Sequence, residues 1–186
     1  MQAGYQWRCD CGLHRAVSIG FQPRISGEIL IPVKKKVLVL FLGNILRGDD
    51  GVGIELLKRI SQSEIPENVV LEEGSTGGMI LLGLMDDYDS VIIVDAMDST
   101  DLKQDIIIFD PSFIQDTNER EISLHSISIK DIVRFNQALG ERVPKITIFG
   151  IRIDRIDEHI GLSTELMNRL SFIEDRLIHL IRETAS

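Results

Sequence analysis

Two spacings of apolar residues alternate along most of this chain. Short, nearly continuous apolar runs mark strands buried on both faces. They occur at residues 37–42, 91–94, 106–109 and 146–149, with a shorter one at 69–72. Between them, apolar residues recur every three or four positions, the period of a helix with one buried stripe. Val52, Leu56, Leu57 and Ile60 mark such a helix over 51–62. Leu166, Leu170, Ile173, Leu177 and Ile181 mark the last, with Ser163 placed to cap its start. A further helix is expected over 79–85, after the glycines of the Gly74-Ser75-Thr76-Gly77-Gly78 run. Another runs towards Leu139, ahead of which Ser128 and Asp131 have capping-box spacing.

Strands alternating with helices imply an α/β fold: a largely parallel sheet covered on both faces, in three layers. A boundary falls near Pro32, where a weakly patterned leader gives way to the first strand. Residues 1–35 are read as an N-terminal extension of unspecified structure, in which 28–31 could form a strand, and 36–186 as a single α/β domain. In such sheets ligands gather at the carboxyl ends of the strands, so the search for chemistry starts there.

Composition narrows the setting. At 186 residues and 44% hydrophobic content, the chain can bury a sizeable core. The longest apolar run, 37–42, is far short of the roughly 18 residues a membrane helix needs. The opening MQAGYQWRCDCG has no apolar signal-peptide core. The two cysteines, Cys9 and Cys11, are too close together to staple a fold, which suits a reducing cytoplasm. With Asp10 and His14 they make no standard closed zinc site. Net charge is −9, but residues 1–36 carry +4 and the remaining 150 carry −13. A body that acidic repels phosphate backbones, so no nucleic-acid partner is expected. Lys34, Lys35 and Lys36 read as a solvated flank.

The first strand runs into Gly43-Asn44-Ile45-Leu46-Arg47-Gly48-Asp49-Asp50-Gly51-Val52-Gly53. The glycines permit a sharp passage into the next helix and close backbone approach. Their spacing matches neither the dinucleotide fingerprint nor a phosphate loop. Asp49 and Asp50 would repel a pyrophosphate but suit a cation. Either could instead cap the following helix. The run at 91–94 leads directly into Asp95, with Asp98 close behind; each can bind or simply start a turn. His125, in Ser123-Leu124-His125-Ser126, could be a surface histidine or could complete a nitrogen and oxygen ligand set for Zn²⁺ or Ni²⁺. His159 and His179 have no accompanying ligand pattern. There is no His-Glu-x-x-His helix, no Gly-x-Ser-x-Gly elbow and no cysteine in the α/β body, which leaves metal-assisted hydrolysis or metal recognition.

The runs GNILRGDDGVG, VDAMDS, SLHS and FGIRIDRIDEHIGLSTEL, in this order over residues 37–182, resemble the hydrogenase maturation proteases. The resemblance implies a twisted sheet of about five strands. It also implies an endopeptidase that removes a C-terminal peptide from the large-subunit precursor of a nickel–iron hydrogenase after nickel insertion. Asp50, Asp95 and His125 would then be the metal-binding and catalytic residues, with Asp49 a helper or base. The nickel would be carried by the substrate, and cadmium or zinc could occupy the same site. Two other readings remain at this point: a non-enzymatic nickel-binding or escort module on the same fold, and a peptidyl-tRNA hydrolase-like enzyme. The latter would need a basic substrate face and a His-Asn pair soon after the Gly-Asn turn, where this chain has Asp49 and Asp50.

Overall fold

Val37–Phe41 form β1, five apolar residues with no side chain exposed. A computed structural model describes this strand within residues 34–74, 85, 87–98, 103–111, 143–154, 156 and 158–186, all of them in one compact unit, Val33–Ser186. A 3-10 turn, Gly48–Gly51, then leads directly into α1, Val52–Ile60. The remaining elements are β2, Val69–Glu73; β3, Ser90–Asp98; β4, Ile106–Phe109; β5, Lys145–Ile153; and α2, Thr164–Ala185.

The five strands make one sheet in the order β2-β1-β3-β5-β4. β2, β1, β3 and β5 are parallel, and β4 closes one edge antiparallel to β5. This is the expected mostly parallel α/β sheet. Alternation of side chains divides its core into two layers. On one face Val39, Phe41, Val94 and Ile151 meet Leu56 of α1 and the stripe of α2. On the other, Leu40, Ile93 and Ile148 pack around Met85.

All five stripe residues of α2, from Leu166 to Ile181, are fully buried. Each contributes roughly 1.5–3 kcal/mol of transfer free energy relative to an exposed side chain. Ser163 caps the helix as expected, its Oγ accepting from the Leu166 amide at 3.2 Å. Among the described residues no helix is long and apolar enough to cross a membrane.

Two strands outrun their sequence signal. β3 begins at Ser90 and continues through Asp95 to Asp98, and β5 extends from Lys145 to Ile153. Asp95 therefore lies inside a strand rather than just after one. Pairing between the two strands persists through Asp98↔Ile153, so a polar residue or a glycine in one is carried by backbone hydrogen bonds to the other. Of the helix expected over 79–85 only Met85 is described, and it is helical; the helix expected before Leu139, the strand at 28–31, and Cys9, Cys11 and His14 lie outside the described residues.

Candidate metal-binding site at the strand ends

From β1 the chain passes to β2 on one side, and β3 then lies on β1's other side. The carboxyl ends of β1 and β3 thus flank the point where the winding of the sheet reverses, the usual ligand crevice of an open α/β sheet. Asp50 and Asp95 both belong to this place.

Asp50 arrives there through a tightly folded loop. At Gly43, φ is +151°, and a Cβ would sit 2.5 Å from the Asp50 carbonyl oxygen. Only glycine fits that approach. The Asn44 amide donates to the same carbonyl at 3.1 Å, closing the loop. The Asp50 side chain is only 1% exposed, with Arg47 Nη1 3.9 Å from its Oδ2. A buried carboxylate is costly unless cations or donors compensate it.

Asp95 is fully buried, and its Oδ1 accepts from the Ala96 amide at 2.8 Å. It stands one residue beyond the last β1–β3 register pair, Phe41↔Val94, where the Leu42 amide donates to the Val94 carbonyl at 2.8 Å. Its position is therefore level with the first residue after β1. The 3-10 turn carrying Asp50 packs against β3. Two buried carboxylates, one in the turn after β1 and one in β3 level with the end of β1, are oxygen donors suited to a divalent cation.

Asp49 has a different setting. It is 3% exposed, and its two oxygens both engage Ser163: Oδ1 accepts from the amide at 2.6 Å and Oδ2 from the hydroxyl at 2.8 Å. Beside it, the Gly48 amide donates to the His159 carbonyl at 2.8 Å. The loop after β1 is thereby fastened to the segment that starts α2. Neither aspartate caps the helix that follows: the N-cap of α1 is Gly51, with no side-chain cap bond. The capping alternative thus fails for both.

The structure sets the turn that carries Asp50 against β3, the strand that carries Asp95. His125 lies outside the described residues, among which no group of three or more His, Cys, Asp or Glu side chains converges. Asp98 sits at the exposed end of β3. His159 is exposed and serves the site loop through its carbonyl. His179 is exposed on α2, 3.3 Å from Glu183. Sequence reasoning singled out neither Arg47 nor the tie between Ser163 and Asp49. An acid-flanking arginine in the motif was the available signal for the first; 114 positions separate the partners of the second.

The family model described as hydrogenase maturation protease matches residues 54–180. The chain is 28% identical over 151 residues to hydrogenase 2 maturation protease of Escherichia coli, an alignment covering 80% of this chain and 92% of that one. The solved hydrogenase maturating endopeptidase HybD from E. coli superposes with a TM-score of 0.67 at 27% identity, covering 80% of this chain and 93% of its own. The [NiFe] hydrogenase maturation protease HybD from Thermococcus kodakarensis gives a TM-score of 0.63 at 25% identity, with 81% and 99% covered.

Proposed function

The chain belongs to the hydrogenase maturation protease family, and from that premise we propose that it removes a C-terminal peptide from the large-subunit precursor of a nickel–iron hydrogenase, in the cytoplasm, after nickel insertion. The observation that carries this reading is the pair of buried carboxylates, Asp50 and Asp95, at the reversal point of the sheet.

In this reading nickel comes with the substrate. Asp50 and Asp95, joined by His125, supply supplementary ligands to an ion already held in the precursor. Two carboxylates and an imidazole form an oxygen and nitrogen donor set that suits a borderline divalent ion, so zinc or cadmium can stand in for nickel. Binding the ion fixes the neighbouring C-terminal segment, so the scissile carbonyl meets water in one orientation rather than many. Without nickel the ligand set is incomplete and the segment is not held. Hydrolysis adds water across one peptide bond; the hydroxyl ends on the carbonyl carbon and a proton on the leaving amine.

Asp49 is a positioning residue here. Both its oxygens are engaged by Ser163, and it acts on the site by holding the loop that carries Asp50.

The test is the intact mass of the cognate large-subunit precursor after incubation with this protein, with and without prior nickel loading. Loss of a C-terminal peptide from the nickel-loaded sample alone is the expected result. An unchanged mass with a verified nickel-loaded precursor would overturn the peptidase reading and favour the escort module.

A further inference from the structure

β4 is an edge strand, and its hydrogen-bonding parity is readable. The Arg152 amide donates to the Asp105 carbonyl at 3.0 Å, which makes Asp105 and Arg152 a hydrogen-bonded pair of the β4–β5 ladder. Antiparallel pairs alternate, so Ile107 and Phe109 turn their backbone groups to β5, opposite Gly150 and Ile148. Ile106 and Ile108 turn theirs outward. Among the described residues no strand lies beyond them.

Under this edge lies a groove of about 560 Å³ between β4 and α2, lined by Lys103, Gln104, Asp105, Ile106, Ile108, Phe172 and Arg176. Ile108 and Phe172 are 41% and 56% exposed, an apolar wall and floor open to solvent. Asp105 is engaged by Arg152 and Arg169. Among the described residues Lys103 and Arg176 have no ion-pair partner. The groove is thus cationic at its mouth, on a body whose residues 37–186 sum to −13. A short edge strand with a lysine beside it is guarded against indiscriminate pairing, and among the described residues an apolar groove runs along it.

We propose that the outer edge of β4 is a docking site for the hydrogenase large-subunit precursor, which adds an extended segment there as a sixth strand. The segment sets alternate apolar side chains against Ile108 and Phe172 and an acidic side chain against Lys103 and Arg176. Strand addition draws affinity from main-chain hydrogen bonds and selectivity from the side-chain groove. Charge complementarity at the groove favours an acidic segment, while two copies of this chain, each at net −9, repel one another as whole bodies. Placement favours the precursor. Asp95 pairs with Gly150, and Gly150 with Ile107, so the edge lies in the same row as Asp95. At one strand spacing per step it is about 10 Å from it. The inference rests on the precursor being this protein's substrate.

The test measures affinity of the full chain for nickel-loaded precursor at low and high salt. The double charge reversal Lys103→Glu with Arg176→Glu weakens binding by about tenfold or more at low salt, and added salt then restores part of the loss instead of weakening binding further. Ile108→Pro, which removes an outward N–H and leaves the bonds to β5 in place, weakens it comparably. Lys103→Arg leaves it unchanged. Far-UV circular dichroism and urea midpoints verify folding, and the charge reversal, confined to the surface, keeps the test decisive if the proline variant unfolds. Folded variants that bind precursor with wild-type affinity overturn the proposal. So does a wild-type dimer in sedimentation that the variants dissolve while their affinity for precursor stays the same. A wild-type protein that binds through this edge yet never shortens the precursor defeats the proposed function and leaves the docking site standing.

Discussion

Asp49 grips Ser163 with both carboxylate oxygens, at 2.6 Å to the amide and 2.8 Å to the hydroxyl, while the same hydroxyl accepts from Leu166 at 3.2 Å. One buried carboxylate thereby completes the N-terminus of the last helix and anchors the loop that holds its neighbour Asp50. Each Asp49 oxygen accepts one bond from Ser163, and the side chain is only 3% exposed, so its contacts in this structure are those of a tie between two segments.

Replacing Ser163 with alanine removes the helix cap and one of the two bonds to Asp49. A lost cap costs about 1 kcal/mol, and a buried carboxylate oxygen deprived of its donor about 1–3 kcal/mol more. Urea denaturation of Ser163→Ala is expected to show a loss of about 2–4 kcal/mol, with Ser163→Thr retaining most of the stability.

Asp49→Asn separates holding from catalysis. The amide oxygen still accepts from the Ser163 amide, but its NH2 faces the hydroxyl. Stability should fall by about 1–2 kcal/mol, and processing should fall only with the fraction folded, assayed at a temperature where the variant is native. Abolished processing in a protein of wild-type stability would show that Asp49 is instead the base.

Asp50→Asn and Asp95→Asn remove one charge each from the crevice while conserving side-chain volume. Processing of nickel-loaded precursor is expected to drop at least about 100-fold for each. Urea midpoints and circular dichroism on the same preparations separate this loss from unfolding, since the asparagine oxygen can still accept the bond from Ala96 in the Asp95 variant. Wild-type processing by the folded Asp95 variant would remove it from the site.

Gly43→Ala tests the loop directly. The added Cβ meets the Asp50 carbonyl at 2.5 Å in a backbone region that side chains rarely adopt. A cost of about 1–3 kcal/mol is expected, together with a loss of processing larger than the stability change explains, since the displaced group is Asp50. Calorimetry and precursor cleavage on the same preparation compare the two.

The Arg169 guanidinium, with Arg152 beside it, holds Asp105 below its ordinary value of 3.8 against an opposing effect of burial. A carboxyl depressed in the folded state stabilises fully above its unfolded value and loses that contribution as pH falls through the folded one. Wild-type Tm should therefore fall as pH drops below about 4, and Asp105→Asn should flatten that acid limb. An identical slope in both proteins would show that this ion cluster contributes nothing there.

Much of this fold is legible in the chain. The residues chosen for the last helix's buried face are all at 0% exposure, because a period of three to four over five sites has few alternative explanations. β4 was bounded correctly at Ile106–Phe109. Its antiparallel direction was not foreseen, since an apolar run carries no information about orientation. The ends of β3 and β5 were hidden by Asp95, Asp98, Gly150 and Arg152, which look like loop residues until a paired strand supplies their hydrogen bonds. The structure places Asp50 in the turn after β1 and Asp95 inside β3, and the burial of both is what the sequence could not state. The role of Asp49 was the least accessible: adjacent aspartates look alike in a motif, and only the return of the chain at Ser163 distinguishes them.

That return has a consequence for the order of events during synthesis. The loop bearing Asp50 is tied down by the His159 carbonyl and by Ser163, which leave the ribosome more than a hundred residues after it. The first strand can pair and bury its side chains early, yet the loop after it has nothing to fasten to until those late residues emerge. The loop is thus fastened only once residues 159–163 have emerged, and a chain that stops short of them has nothing to hold Asp50 in place.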